Sequence, residues 1–343
     1  MIDKERFRRR ALALAAEDGR QLGARLAREF GISRAAASAR LRTLVREGLL
    51  TAEGSTRARV HRPAVLEEGA ACFPTRGLSE DIVWRVFCRP LLTRLPENVI
   101  DIWHYGVTEM VNNVIDHSGA PYVEISLRRK AMTRECHIRD RGEGIFHKIQ
   151  RALDLFDPRE AVLELAKGKF TTDPDHHTGE GIFFSSRVFD RFEIHSRGLV
   201  FLSGALCRQD MIEERDGCEI EGTLVVMTLA DDSRRTLREI MDQFAPPEEY
   251  GFSRTVIPIR LAAHEGEKLV SRSQARRITF RIDRFEDVAL DFEGVEEIGQ
   301  AFADEIFRVF ARRHPRTRLT PINMTPRVEA MIRRAQARGH GND

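Results

Sequence analysis

The chain has 343 residues, a 42% apolar fraction and a formal net charge of +2. That composition supports ordinary folded cores, excludes wholesale disorder and points to two or three domains. No apolar run approaches the roughly 18 residues of a membrane span. The basic N-terminus MIDKERFRRRALALAAEDG lacks the apolar core and cleavage site of a signal peptide. The five cysteines (Cys72, Cys88, Cys136, Cys207 and Cys218) are scattered and form no C-x-x-C pair. They read as reduced thiols of a cytoplasmic protein rather than as disulfides or zinc ligands. Charge is uneven: residues 1–65 hold 15 Lys/Arg against 7 Asp/Glu, a net +8, and the remainder holds 40 against 46, a net −6. Such asymmetry suggests a polyanion-binding module joined to something else.

In chain order, residues 3–17 read as a helix, 21–30 as a second and 34–48 as a third. GIS (31–33) forms a tight turn, with Ser33 as N-cap of the third helix. LLTAEGSTRARVHRPA (49–64) reads as two short strands about Gly54-Ser55. The segment 1–64 resembles a winged helix-turn-helix. That resemblance implies a third helix entering the major groove and a wing touching the backbone. Arg34, Ser38 and Arg42, with Arg40 beside them, are expected to face DNA, and Arg57, Arg59 and Arg62 to sit on the wing. Some winged helices serve protein contact instead. The agreement of charge, turn and wing favours duplex DNA as the partner.

VLEEGAACFPTRGL (65–78) reads as a linker, and 79–232 as a central domain. Its expected order is helix 79–94, helix 97–117, strands 121–129 and 134–140, a glycine turn, and a helix near 158–167. A polar loop, a helix from about 180 and strands near 191–196, 199–205 and 222–229 follow. A connecting helix in 233–251 leads to a third unit, 252–343.

Within the second central helix lies TEMVNNVIDHSG (108–119). On a helical wheel with Glu109 at zero, Asn113 falls at about 40°, Asp116 at about −20° and Asn112 at about −60°. Trp103, Val107, Met110, Val111 and Val114 gather on the opposite side. Most such stripes are solvated faces. Two adjacent asparagines in mid-helix, however, carry a propensity cost that a merely soluble surface has no need to bear.

Two glycine-rich stretches accompany this helix. In RECHIRDRGEGIF (134–146), Cys136, Ile138 and Asp140 alternate onto one inner face, and Asp140 ends it where Gly142 and Gly144 open the backbone. A carboxylate there can accept a hydrogen bond from an exocyclic amine, and the glycines let a flat ring approach. An isolated D-x-G is equally an ordinary turn. In DHHTGEGIFFSSRVFD (175–190), Thr178, Gly179 and Gly181 lead straight into a helix, a geometry suited to phosphate. The preceding KGKFTTDPDHH (167–177) is polar and long enough for a mobile lid, to which His176 and His177 belong better than to a metal site. Gly222-Thr223 opens an alternating strand.

Taken in this order, the motifs of residues 79–232 resemble the GHKL (Bergerat-fold) ATP-binding domain of DNA gyrase, mismatch-repair ATPases, histidine kinases and anti-sigma-factor serine kinases. ExxxN in TEMVNN matches the N box, DRGEG and HTGEG the two glycine boxes, and GT at 222–223 the last motif. There is no Walker A motif. The resemblance implies that Asn113 ligates Mg²⁺ through its amide oxygen and that Glu109 is the general base. It implies that Asp140 reads adenine, and that Gly142, Gly144, Thr178, Gly179, Gly181 and Thr223 shape the nucleotide and phosphate walls. His117 resembles the histidine ending this helix in anti-sigma-factor kinases. Lys167 and Lys169 either reach the γ-phosphate from the lid or face solvent. Glu109 is absent from most histidine kinases, which also need a dimerising helix pair not seen here. NNVIDHSG stands closer to the anti-sigma-factor kinases, and Glu109 is also compatible with a gyrase-like hydrolase.

Residues 276–314 alternate helix, strand and helix around VALDF (288–292) and look like the STAS-like domain of unknown function that accompanies some GHKL modules. LTPINMTPRVEAMI (319–332) suits a further strand and helix. The place of the phosphoacceptor serine of anti-sigma-factor antagonists is taken by IGQAFADE (298–305), without Ser or Thr; Ser271 and Ser273 are other hydroxyls. The expected molecule is multidomain α+β, with a winged helix, a central GHKL α/β sandwich and a STAS-like α/β domain. It reads as a bacterial-type transcriptional regulator that binds duplex DNA, ATP and Mg²⁺ and hydrolyses ATP as a conformational switch. A serine kinase acting on a partner and a non-hydrolysing ATP sensor are the alternatives. The STAS-like unit offers a surface for a protein partner, and a homodimer is compatible with the sequence.

Overall fold

The computed structural model describes residues 3–55, 58–170, 179–207, 210–215, 217, 220–245, 252–263 and 267–337. The N-terminal unit comprises α1 (Lys4–Asp18), α2 (Leu22–Phe30), α3 (Arg34–Arg46) and the antiparallel pair β1 (Leu50–Glu53) and β2 (Val60–Pro63). Ser33 caps α3 as its position suggests, its Oγ accepting from the Ala36 N–H at 3.1 Å. Phe7, Leu14, Leu22, Leu26, Leu41 and Leu44 close a core of their own.

After the wing comes a departure from expectation. Residues 65–78 are not a linker: β3 (Glu67–Pro74) pairs antiparallel with β4 (Tyr122–Arg129) along its whole length. It forms the edge of a seven-stranded antiparallel sheet ordered β3-β4-β5-β9-β6-β7-β8. The other strands are β5 (Thr133–Asp140), β6 (Arg191–Ser196), β7 (Leu199–Ser203), β8 (Met211–Glu214) and β9 (Thr223–Ala230). Register sets Ile125, Ile138, Val225, Ile194 and Phe201 in one row across five strands, all buried. This row faces the helices.

Those helices are α4 (Glu80–Val83) and α5 (Arg89–Leu91), joined by a π-helical stretch Trp84–Cys88, then α6 (Glu97–Asn113), α7 (Ile145–Leu153), α8 (Pro158–Lys167) and α9 (Gly181–Val188). On α6, Val99, Ile102, Trp103, Val107, Met110 and Val111 are at most 1% exposed, and the Trp103 ring meets Phe189 edge-on at 4.9 Å. Such a face explains the helix: its apolar residues recur at three- and four-residue spacing, and tertiary packing outweighs the asparagine cost. Helix α7 and strand β8 were not anticipated. The connecting helix α10 (Leu237–Phe244) starts later than expected, at a capping box of Thr236 and Glu239.

The C-terminal unit has three parallel strands, β10 (Arg254–Pro258), β11 (Asp287–Asp291) and β12 (Arg318–Ile322), ordered β10-β11-β12. Around them lie α11 (Arg272–Thr279), α12 (Gln300–Asp304) running through a π-helical stretch Glu305–Phe310 into α13 (Ala311–Arg313), and α14 (Pro326–Ala337). Its core is continuous with that of the central sheet. Cys72, Cys88, Cys136 and Cys207 are free thiols; burial pushes that of Cys88 up to about 12, marking a packing residue. Cys218 lies outside the described residues.

Candidate functional site

Helix α6 does not run straight through its polar stripe. From Val114 to Ser118 it widens into a π-helical turn, closed by Ser118 Oγ donating to the Val114 carbonyl at 2.6 Å and ended by Gly119 in the left-handed region. A π turn holds more residues than an α turn and so rotates the side chains beyond it. The four-residue stripe therefore splits. Glu109, Asn112 and Asn113 line a cleft of about 270 Å³, Asp116 turns out to solvent, and His117 and Ser118 line the cleft in its place. The Asn113 amide nitrogen is turned towards Met110 Sδ at 3.9 Å, which directs the carboxamide oxygen the other way.

The opposite wall comes from the sheet. Asp140, at the end of β5, is 4% exposed, and its Oδ1 accepts from the Gly142 N–H at 2.8 Å. Burial raises its carboxyl above the usual carboxylate range, against the downward pull of hydrogen bonds from Gly142 and Thr223. Thr223 stands opposite Asp140 in the register, and its Oγ1 accepts from the Ile145 N–H at 3.1 Å, fixing the start of α7. At Gly142 a Cβ would lie 2.0 Å from the Ser118 carbonyl oxygen. The glycine turn and the end of the α6 helix thus touch backbone to backbone. Gly144 lines the cleft beside them.

The third wall is the start of α9. A Cβ on Gly181 would lie 2.0 Å from Glu109 Oε2, so glycine is what allows the helix start to abut that carboxylate. Gly179 and Glu180 line the same wall. Thr178, His176 and His177 lie outside the described residues.

Both readings of Lys167 and Lys169 give way to a third. Lys167 is 2% exposed, pairs with Glu164 and donates to the carbonyls of Arg277 (2.7 Å) and Phe280 (3.0 Å). The Lys169 ammonium lies 4.9 Å from the Phe285 ring centre and donates to the Arg284 carbonyl at 3.3 Å. Lys167 faces neither solvent nor the cleft, and Lys169 is half-buried, with Glu180 of the cleft among the charges acting on it. Both fasten the end of α8 to the C-terminal unit, because carbonyls and rings supplied more than a hundred residues later satisfy them there.

Lys148, Glu180 and Phe170 also line the cleft, and none of the three was singled out from sequence. The amphipathic spacing of IFHKIQRAL offered a signal for α7, and hence for Lys148. Among the described residues no cluster of three or more His, Cys, Asp or Glu could hold a metal ion.

On the N-terminal unit, Arg34, Ser38 and Arg42 are exposed along α3, and Arg59 and Arg62 are exposed at the wing. Arg40 is drawn inward, its guanidinium 5.1 Å from the Phe7 ring centre, and so departs from the expected DNA-facing set. Arg57 lies outside the described residues. In the C-terminal unit Ser271 caps α11, accepting from the Gln274 N–H at 3.1 Å.

Comparison with known families parallels this division. Residues 4–51 match the winged helix-turn-helix DNA-binding model, 83–200 the histidine kinase-like ATPase domain, and 274–329 a STAS-like domain of unknown function. No curated protein matches the chain. The molecule is a multidomain α+β chain with a winged helix, a histidine-kinase-like ATPase domain and a STAS-like domain. This combination is that of a DNA-binding regulator carrying an ATPase or kinase domain. Among the described residues no helix is long and apolar enough to cross a membrane.

Proposed function

We propose that the chain is a transcriptional regulator whose central domain binds ATP with Mg²⁺ and hydrolyses it slowly, the nucleotide state biasing contacts with the flanking units. The observation that carries this is the convergence of Glu109, Asn113, Asp140, Gly181 and Thr223, from four separate elements, on one cleft. Asp140 accepts from the adenine amino group, with Thr223 beside it. Asn113 offers its amide oxygen to Mg²⁺, which when bound neutralises phosphate charge. Glu109, set against the α9 start, takes the proton of a water whose oxygen bonds to the γ-phosphorus as the bond to the ADP oxygen breaks. Coupling is supported by Lys167 and Lys169, which tie the end of α8 to the C-terminal unit. The exposed Arg34, Ser38, Arg42 and Arg59, with Arg57, supply the DNA-facing set.

The test tracks γ-labelled ATP with Mg²⁺, with and without duplex DNA, beside Glu109→Ala. Label should appear as free phosphate and fall by about two orders of magnitude or more in the variant, the range of a lost general base. Label on protein would instead make it a kinase. Binding without turnover would leave a nucleotide sensor.

A further inference from the structure

The cleft has a charge problem. Glu109, Asp140 and Glu180 line it, all carboxylates. A nucleotide polyphosphate brings several more negative charges into the same space, and like charges at short range in a partly buried site repel strongly. A cation in the lining offsets that charge beside the Mg²⁺ of the reading above. Among the described lining residues Lys148 is the single lysine or arginine.

Its placement suits that task. Lys148 stands on α7, immediately beyond the Asp140 turn, and its Nζ reaches across to donate to the His117 carbonyl oxygen at 2.7 Å. His117 belongs to the π-helical turn that succeeds Asn113. The ammonium thus sits where the Asp140 wall meets the Asn113 face. A carbonyl partner orients an ammonium without neutralising it, and an ammonium has three N–H donors. Lysine binds phosphate as a point charge and needs no fixed fork geometry.

We infer that Lys148 is the phosphate-binding cation of this cleft, donating to the phosphates of a bound nucleotide; the inference rests on the ATP reading above. A lysine that only capped the helix end would hold His117 and nothing else, and its loss would be felt by every ligand alike.

The experiment titrates the full chain and its Lys148→Gln and Lys148→Arg variants with ATP and ADP by calorimetry. Adenosine is measured by ligand-observed NMR, which reads weak binding, and thermal unfolding of each variant checks the fold. Lys148→Gln should weaken ATP and ADP by about tenfold to a hundredfold, the range of one hydrogen bond to a charged group, while adenosine changes by less than about twofold. Lys148→Arg should keep the preference for ATP over adenosine. An equal loss for all three ligands in Lys148→Gln would reduce Lys148 to a capping residue and overturn the inference. Unchanged ATP affinity in that variant would overturn it as well. Absence of ATP binding by the unaltered chain would overturn the reading of the cleft itself and this inference with it.

Discussion

Where the parallel strands meet the central sheet, phenylalanines from both sides interlock. Phe183 and Phe184 of α9, Phe244 of α10, and Phe252 and Phe285 have ring centres 4.6–6.4 Å apart. Around them Lys167 is buried on C-terminal carbonyls, Arg277 pairs with Glu160 at 3.0 Å, and Thr255 Oγ1 donates to the Lys167 carbonyl at 2.7 Å. Where the winged helix meets the same sheet, Ala131 and Met132 of the β4–β5 turn rest on its core, and Arg9 pairs with Asp232 at 3.3 Å with both side chains 57% exposed. One junction is built like a domain interior and the other like a transient interface. The central and C-terminal units should therefore unfold as one, and the winged helix by itself.

The most severe way to break that contrast is Phe252→Ala. Phe252 is 1% exposed, and removing a buried aromatic ring costs about 3–5 kcal/mol. Urea unfolding monitored separately in each unit should show the central and C-terminal transitions shifting together while the winged helix stays put. Separate shifts of the central and C-terminal transitions would refute a common core.

A milder probe is acid. Burial pushes the Glu135 carboxyl up, but hydrogen bonds from His137 and Lys130 outweigh it and hold the pKa at about 2 against an ordinary 4.5. A depressed acid stabilises the fold above its unfolded value and loses that contribution as pH falls. Stability of the joint unit should accordingly decline between pH 4.5 and 2, beside the turn that carries the winged helix. Glu135→Gln should flatten that decline in urea midpoints measured across the window. An unchanged slope would assign the acid sensitivity elsewhere. The smallest effect belongs to Arg9→Ala: an exposed pair contributes about 0–1 kcal/mol, so the winged-helix transition should barely move. A shift of several kcal/mol there would erase the contrast.

Much of the site was legible because its signals are local. Asp140 could be placed from alternation along one strand, and Ser33 from its position before a helix. The α6 stripe was legible up to Asn113 and failed at Asp116, because a π turn leaves no periodic mark in the residues that form it. Strand β3 escaped notice since an edge strand built on small residues (half-buried Gly69 and Ala71, exposed Ala70) lacks a strong alternation of large apolar and polar side chains. Lys167 and Lys169 were misread for a different reason: their partners come from the far end of the chain, and no local pattern announces them.

The edge position of β3 has a practical side. Only residues 64–66 separate the wing from this strand, so a truncation that begins at the central helices, near residue 79, removes the strand together with the winged helix. It would bare the hydrogen-bonding edge of β4 over eight residues, Tyr122 to Arg129. An exposed edge of that length is a template for aggregation. A fragment intended to isolate the ATPase domain should start before Glu67; otherwise its insolubility would be mistaken for a property of the domain.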